Sequence, residues 1–203
     1  MRLNNIDSAD FYHMLDDLSE HSPVYIVGGS VRDLFMGNPR SDVDVAVRLP
    51  IENIVGFLAG RQYIKTINQV GIAFGVVKVV LKDETEIDVA QFRSETYVEG
   101  SRKPETVTFV QSIEEDLARR DFTINAMALF YTRKDREFVL NDPFNGLGDF
   151  HNGIIRAVGN PDERFSEDTL RIQRAVRFAV RFGFAIEPNT LAAMIRMAPL
   201  LRA

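Results

Sequence analysis

The stretch SDVDVAV places two aspartates, Asp42 and Asp44, two residues apart among valines and an alanine. Alternate side chains of a β-strand share a face, so a strand here predicts both carboxylates on one face and the valines on the other. Adjacent carboxylates repel each other, and a hard divalent cation such as Mg²⁺ removes that repulsion because it prefers oxygen ligands. Asp88 stands between Ile87 and Val89 in the same way, and it joins the pair if its strand is the neighbour. The pattern indicates a metal site; the alternative is the exposed face of an amphipathic strand.

A pair of glycines, Gly28 and Gly29, follows the apolar run VYIV and precedes a segment with helical character. Glycines at the start of a helix let backbone N–H groups approach an anion, and the helix dipole adds a partial positive charge. Arg32 and Asp33 follow within four positions, and a planar guanidinium could bind the same phosphate oxygens. The turn is therefore a candidate triphosphate site, although it fits neither Walker A nor G-x-G-x-x-G. The alternative is a tight turn with Arg32 and Asp33 as solvated helix residues.

Strand-like and helix-like patterns alternate along the chain and would position these residues. Period-2 alternation or short apolar runs predict strands at VYIV, at 42–49, on both sides of the turn-like KDET as a hairpin, and at 107–110. Apolar spacing and capping residues predict helices at 7–20, 30–37, 51–60 and 166–184, and one more that begins at 188.

Three stretches have weaker patterns. Residues 112–131 open with a capping box and predict one helix, or two helices broken near Asp121. Residues 142–161 are rich in Gly, Asn, Asp and Pro and predict loop and turn around the strand IIRAV. Residues 93–104 have no period and predict a mobile loop. The whole pattern predicts a mixed α/β unit followed by helices.

Composition and charge exclude several classes of protein. The 203 residues contain no cysteine, no apolar run near the roughly eighteen residues that span a bilayer, and no secretory pattern at the start. We therefore expect a cytoplasmic protein with no membrane partner. The formal net charge is −5, with eight arginines and five acids from residue 156 onward, so that +3 lies there and −8 in residues 1–155. A polyanion would be bound by the C-terminal quarter or through metal ions.

Five motifs in order resemble a single family: VYIVGGSVRD, SDVDVAV, RRDFTINAMA, DPFNGLGDF and EDTLRIQR. They are similar to nucleotidyltransferases of the polymerase β superfamily, in the bacterial-type (class II) branch that contains tRNA CCA-adding enzymes and poly(A) polymerases. The resemblance implies an α+β fold, with a polymerase-β-like catalytic head that has a mixed sheet over residues 1–157. A helical neck would follow over residues 158–203, incomplete and without the helical body and tail of the family.

The resemblance also implies roles for residues of the RRDFTINAMA motif. In similar enzymes the second arginine of this motif, here Arg120, contacts the nucleotide phosphates. The aspartate and the asparagine, here Asp121 and Asn125, lie near the ribose. Without the resemblance, the same stretch is typical of a helix that packs its apolar residues.

The helix predicted at 166–184 carries Asp168, Arg171, Arg174 and Arg177 at intervals of three. Asp168 and Arg171 are near enough on such a helix to act together. A carboxylate beside a guanidinium complements the amino group and acceptor nitrogen that cytosine and adenine share. The resemblance implies that Asp168 and Arg171 read the base and that the two later arginines complete the nucleotide pocket. Without it, an ion pair on a surface helix is the alternative.

The sequence thus leads us to expect a Mg²⁺-dependent enzyme that transfers nucleotides from CTP and ATP to an RNA 3′ end, with tRNA as the substrate that the resemblance implies. Asp42, Asp44 and Asp88 would hold the metals of a two-metal phosphoryl transfer. A poly(A) polymerase stays open, as does an A-only or CC-only tRNA enzyme that differs in residues 93–105. A nucleotide-binding module without its RNA-binding part also stays open, and the oligomeric state is not predicted.

Overall fold

A mixed β-sheet forms the centre of the first part of the chain. The computed structural model describes residues 8–37, 42–69, 71–96 and 106–201. Within these residues the strands of the sheet are β1 Val24–Val27, β2 Asp42–Val47, β3 Ile64–Asn68, β4 Val76–Leu81, β5 Glu86–Gln91, β8 Ala128–Thr132 and β9 Glu137–Asn141. Their order is β3-β4-β5-β2-β1-β8-β9. β2 and β5 run parallel, and the other pairs are antiparallel.

Three helices accompany this sheet: α1 Ala9–Ser19, α2 Gly29–Phe35 and α3 Ile51–Leu58. α1 begins where predicted, because Oγ of Ser8 accepts a hydrogen bond from the backbone N–H of Phe11 at 3.1 Å. Its apolar stripe is fully buried, as are Ile54 and Leu58 of α3. The predicted hairpin around KDET is confirmed, since β4 and β5 pair antiparallel.

The remaining elements are mostly helical. They are the strands β6 Arg93–Thr96, β7 Thr106–Phe109, β10 Ile154–Ile155 and β11 Ala185–Ile186, and the helices α4 Ile113–Ala118, α5 Gly146–His151, α6 Pro161–Glu167, α7 Leu170–Phe182 and α8 Pro188–Met197. Their core contains Phe122, Phe165 and Phe178. None of the helices in the described part has the length and apolarity that a membrane crossing needs.

The chain divides into two compact units. Unit 1 comprises Met1–Arg93, Phe109–Ile113 and Ala128–Asn141, and unit 2 comprises Ser94–Thr108, Glu114–Met127 and Asp142–Ala203. Residues 114–127 and 142–157 therefore cluster with the C-terminal helices, although they precede residue 158 in the chain. The division into a head at 1–157 and a neck at 158–203 stays a prediction.

The helical prediction for residues 112–131 is wrong beyond α4. Thr123–Asn125 form a single 3-10 turn, and Ala128–Thr132 form the strand β8. Residues 121–129 are all buried, and β8 pairs with β1 on one side and β9 on the other. A strand that is covered on both faces has an unbroken apolar run, which the sequence alone does not distinguish from a buried helix.

Three other local predictions are also wrong. Residues 146–151 form α5 because the Asp142 carboxylate accepts hydrogen bonds from the backbone N–H groups of Gly146 and Leu147, at 2.6 and 2.9 Å. The helix predicted at 166–184 is two helices, since Asp168 is extended between α6 and α7. Residues 93–96 of the predicted mobile loop form β6. The alternatives for nucleotide choice were placed in residues 93–105, of which 97–105 lie outside the described residues.

Candidate active site

The two acidic stretches of unit 1 lie side by side. In the parallel pair of β2 and β5, Asp44 is opposite Asp88 and Asp42 is opposite Glu86. Opposite residues of paired strands share a face, so these four acids belong to the same face of the sheet. Asp44 is exposed and Val43 is buried, as the alternation predicts. The expected adjacency of the Asp88 strand is confirmed, while of Asp42 the structure describes the backbone alone.

Ser30 connects the glycine turn to the acidic strand. Its Oγ accepts a hydrogen bond from the backbone N–H of Asp44 at 2.9 Å and donates to Oδ2 of Asp44 at 3.3 Å. Gly28, immediately before α2, has φ 68° and ψ −134°, a conformation that residues with a side chain rarely adopt. The predicted succession of strand, glycine turn and helix is thus confirmed, and the turn lies directly beside Asp44.

Arg32 and Asp33 are buried, each with 3% exposure. Nε and Nη2 of Arg32 both donate to Oδ1 of Asp33, at 2.8 and 2.6 Å. A Cβ added at Gly29 would lie 3.4 Å from Nη2 of Arg32, so the guanidinium lies against the glycine turn. The alternative of two solvated helix residues is therefore wrong. Contact of this group with a phosphate stays a prediction.

Sequence reasoning missed Lys78 and Glu86. Nζ of Lys78 lies 3.1 Å from Oε2 of Glu86 and 3.2 Å from Oδ1 of Asp88. The hydrogen bond to Glu86 raises the pKa of Lys78, partial burial opposes it, and the hydrogen bond to Asp88 adds to the increase. The signal was present in the sequence, because Lys78 and Asp88 face each other if β4 and β5 form a hairpin in this register.

The donor set fits a hard divalent cation. Asp44 and Asp88 offer carboxylate oxygens from neighbouring strands, and such cations are commonly held by one or two carboxylates together with substrate phosphates. Among the side chains that the structure describes, no three acids, histidines or cysteines are close enough to hold a metal ion together. The side chain of Asp42 is not among those described. A role for Asp42 as a metal ligand stays a prediction.

In unit 2, Arg119 and Arg120 share one buried acid, Asp116. Nη2 of Arg119 donates to Oδ1 of Asp116 at 2.9 Å, and Nη2 of Arg120 donates to Oδ2 at 3.0 Å. Nε of Arg120 is buried, and the described residues offer it no hydrogen-bond partner. The candidate phosphate contact is therefore held by an acid that sequence reasoning did not identify.

The buried carboxylate of Asp121 is the centre of a second hydrogen-bonded group. Its Oδ1 accepts from the backbone N–H of Phe122 at 2.8 Å and from Nδ2 of Asn125 at 3.0 Å, and its Oδ2 accepts from Nη2 of Arg174 at 2.6 Å. The structure thus brings together three of the predicted nucleotide contacts. These hydrogen bonds orient the side chains of Asn125 and Arg174.

Asp168 is not on the same helix as the arginines that follow it. Its Oδ1 accepts from the backbone N–H of Leu170 at 2.9 Å, at the start of α7. Nη1 of Arg171 donates to Oε2 of Glu167 at 2.9 Å, and Nη2 donates to the Arg119 carbonyl at 3.1 Å. Arg177 is exposed and lies over the Phe178 ring. The predicted helical spacing therefore applies only from Arg171 onward. Asp168 is itself the extended residue between α6 and α7.

The DPFNGLGDF motif has a structural role that sequence reasoning did not assign. The Asp149 carboxylate is buried; it accepts from the Thr123 hydroxyl at 2.7 Å and from Nε of Arg156 at 2.9 Å. The hydrogen bond to Asp149 raises the pKa of Arg156, although partial burial opposes it. This network holds the turn that follows Arg120 and Asp121, so the motif positions the predicted nucleotide contacts.

The chain is similar in sequence to a known family of proteins. Residues 24–156 match the family model described as the poly(A) polymerase head domain. The chain is 44% identical over 206 residues to the CCA-adding enzyme of Streptococcus suis strain 05ZYH33, an alignment that covers 99% of this chain and 48% of that enzyme. The chain therefore spans about half the length of the curated relatives that it matches.

Two solved structures are similar over nearly the whole chain. The Bacillus stearothermophilus CCA-adding enzyme in complex with CTP is 37% identical with a TM-score of 0.79, and covers 96% of this chain and 45% of that one. The Thermotoga maritima CCA-adding enzyme complexed with tRNA is 30% identical with a TM-score of 0.72, and covers 97% of this chain and 44% of that one.

Proposed function

Because the chain belongs to the poly(A) polymerase head domain family, we propose that it is a template-independent nucleotidyltransferase that adds nucleotides from CTP and ATP to the 3′ end of tRNA. The observation that carries the proposal is the pairing of Asp44 with Asp88 on parallel strands beside a glycine turn. The similarity to CCA-adding enzymes favours tRNA over a growing poly(A) tail. The family and the α+β class were both expected from the motifs.

Unit 1 supplies the metal ligands in this proposal. Asp42, Asp44 and Asp88 would hold Mg²⁺, and this ion would supply a lower pKa for the RNA 3′-hydroxyl and positive charge against the triphosphate. Ser30 holds the backbone and carboxylate of Asp44, and so keeps this ligand beside the turn. The bare backbone of Gly28 and Gly29 receives the phosphates.

Further phosphate contacts come from Arg32, which Asp33 orients, and from Arg120, which Asp116 orients. A guanidinium that is already held by a carboxylate loses less side-chain entropy when it binds a phosphate than a free one does. Asp121 and Asn125 contact the ribose, where a hydrogen bond to the 2′-hydroxyl would select ribonucleotides over deoxyribonucleotides.

Unit 2 supplies the selection of the base. A carboxylate beside a guanidinium accepts from the exocyclic amino group and donates to the ring nitrogen of cytosine or adenine, and it presents the wrong groups to uracil and guanine. Asp168 and Arg171 have this role, and Arg174 and Arg177 complete the pocket. Because Asp168 lies between two helices, its carboxylate is not constrained to the direction of a helical side chain.

The remaining parts of the proposal concern the whole protein. Residues 1–157 act as the catalytic head and residues 158–203 as the start of a neck. The location is the cytoplasm, where tRNA is processed.

The experiment is product sequencing. The chain is incubated with Mg²⁺, all four nucleotides and a tRNA that lacks its 3′ CCA end, and the Asp44→Asn variant is the control. Addition of C, C and A by the parent alone supports the proposal. A long run of adenosines would instead identify a poly(A) polymerase, and A alone or CC alone would identify a restricted tRNA enzyme. Binding of labelled CTP without transfer would indicate a nucleotide-binding module.

A further inference from the structure

A lysine lies in line with the acids of unit 1. Lys78 of β4 is opposite Asp88 of β5, and Asp88 is opposite Asp44 of β2, so the three side chains form one row across the sheet on a single face. Nζ of Lys78 is 3.2 Å from Oδ1 of Asp88 and 3.1 Å from Oε2 of Glu86. The ammonium group of Lys78 therefore lies in the same row as the proposed metal ligands Asp88 and Asp44.

We propose that Lys78 is a positioning residue of the metal site: it holds Oδ1 of Asp88, leaves Oδ2 as a ligand, and weakens the binding of the divalent cation. This inference rests on the proposed function. It concerns a residue to which neither the sequence motifs nor the family resemblance gives a role.

The positioning effect follows from the hydrogen bond. An aspartate on a strand can rotate about two side-chain bonds, and the side chain of Asp88 is 41% exposed, so packing alone does not fix its carboxylate. A charge-assisted hydrogen bond from Lys78 to one oxygen fixes the direction of the other. Catalysis requires such ligands to be held within a fraction of an ångström, because misplaced reacting groups lose large factors in rate.

The effect on affinity follows from charge. A divalent cation beside Asp88 is repelled by an ammonium group on the same carboxylate, and this repulsion acts whenever the metal is bound. Four acids in register without a cation would bind the metal tightly. Lys78 contacts both Glu86 and Asp88, so its charge offsets part of the negative charge that would attract the metal.

The chain offers a matched control. Lys65 of β3 pairs with Glu84 at 2.6 Å, and both side chains are exposed. Lys65 belongs to the same sheet and Glu84 to the turn of the hairpin, and the pair involves none of the proposed ligands. Exposed ion pairs of this kind contribute little to stability, so the substitution Lys65→Met removes one lysine charge from unit 1 and leaves the site unchanged.

The first experiment measures binding of Mn²⁺ to the full chain, with free Mn²⁺ followed by electron paramagnetic resonance. We expect Lys78→Met to bind Mn²⁺ roughly tenfold more tightly than the parent. Lys78→Arg and Lys65→Met should stay within about twofold, because the first retains the charge and the second lies elsewhere. An unchanged or weaker Mn²⁺ affinity in Lys78→Met would overturn the inference.

The second experiment measures CTP transfer to tRNA at saturating metal. We expect Lys78→Met to lower kcat about tenfold with little change in KM for CTP, and Lys78→Arg to restore most of it. A kcat equal to that of the parent would overturn the positioning role. The Asp44→Asn variant tests the proposed function separately from the role of Lys78. If Asp44→Asn binds Mn²⁺ as tightly as the parent does, the assignment of the metal site to these carboxylates is wrong.

Discussion

The candidate metal ligands of unit 1 and three candidate nucleotide contacts of unit 2 differ in how firmly their own unit holds them. In unit 1, Asp44 is exposed and Asp88 half-exposed, and both point away from the valine core. In unit 2, Arg120, Asp121 and Arg171 each take part in hydrogen bonds with buried groups or backbone carbonyls. The exposed acids of unit 1 can be replaced without destabilising the fold. The hydrogen-bonded residues of unit 2 also stabilise that unit, so a loss of activity on their replacement can come from a lost nucleotide contact or from a destabilised fold.

The largest expected effect is the loss of nucleotide transfer when a proposed metal ligand of unit 1 is removed. Asp44→Ala should reduce nucleotide transfer by at least about a thousandfold, since it removes a metal ligand from the exposed face. The free energy of unfolding should change by less than about 0.5 kcal/mol, because the side chain is not part of the core. Single-turnover transfer and urea denaturation measure the two quantities. Glu137→Ala, an exposed strand acid of the same sheet, is the control. A variant that transfers at the parental rate would contradict the metal assignment.

The second effect should combine activity with stability. Asp121→Ala leaves Asn125 and Arg174 without their shared acceptor, so we expect a loss of about 2 kcal/mol in the free energy of unfolding, together with weaker nucleotide binding. Asp162→Ala removes the acid of the exposed pair with Arg196 in the same unit and should cost less than about 1 kcal/mol. Equal losses in the two variants, measured by urea denaturation, would show that the comparison between buried and exposed groups is wrong.

A smaller effect concerns the choice of nucleotide. Asp168→Asn keeps an acceptor for the Leu170 N–H and so preserves the start of α7, whereas Asp168→Ala removes both this bond and the carboxylate. We expect Asp168→Asn to reduce discrimination against UTP and GTP about tenfold, measured as the ratio of kcat/KM values, with little loss of thermal stability. Discrimination that stays at the parental level would exclude Asp168 from reading the base.

The smallest effect depends on pH. Glu187 begins α8 and accepts from the Thr190 N–H at 2.8 Å and the Thr190 hydroxyl at 2.9 Å. Its burial would raise its pKa, but the hydrogen bonds from Thr190 and Asn189 and the charge of Arg156 lower the pKa below its ordinary value. A lowered folded-state pKa stabilises the protein above the unfolded pKa of about 4.3, and this contribution is lost as the pH falls through the folded value.

Glu187→Gln should therefore cost about 1 kcal/mol at pH 7, and the difference from the parent should shrink as the pH falls from 5 to 3. Urea denaturation at several pH values measures it, and Glu137→Gln controls for the loss of one surface charge. A difference that does not depend on pH would contradict a role for the ionised carboxylate.

Most of the local structure around Asp44 and Asp88 could be predicted from the sequence. Alternating Asp and Val in β2, the glycines after VYIV and the hairpin around KDET have short-range signatures, and all three are confirmed. The edge strands β3 and β9 were not predicted, and β8 was taken for helix. Their identity depends on pairing with strands distant in the chain, which no local period encodes.

The sequence by itself determined the family, through five motifs in order, and the residue types that chemistry on phosphates needs. Tertiary structure alone decided which groups distant in the chain meet: Asp44 with Asp88, Lys78 with Asp88 through their register, and Arg174 with Asp121. The physical reason is that a motif constrains neighbours along the chain, whereas a buried charge must find its partner wherever the fold brings one within hydrogen-bond distance.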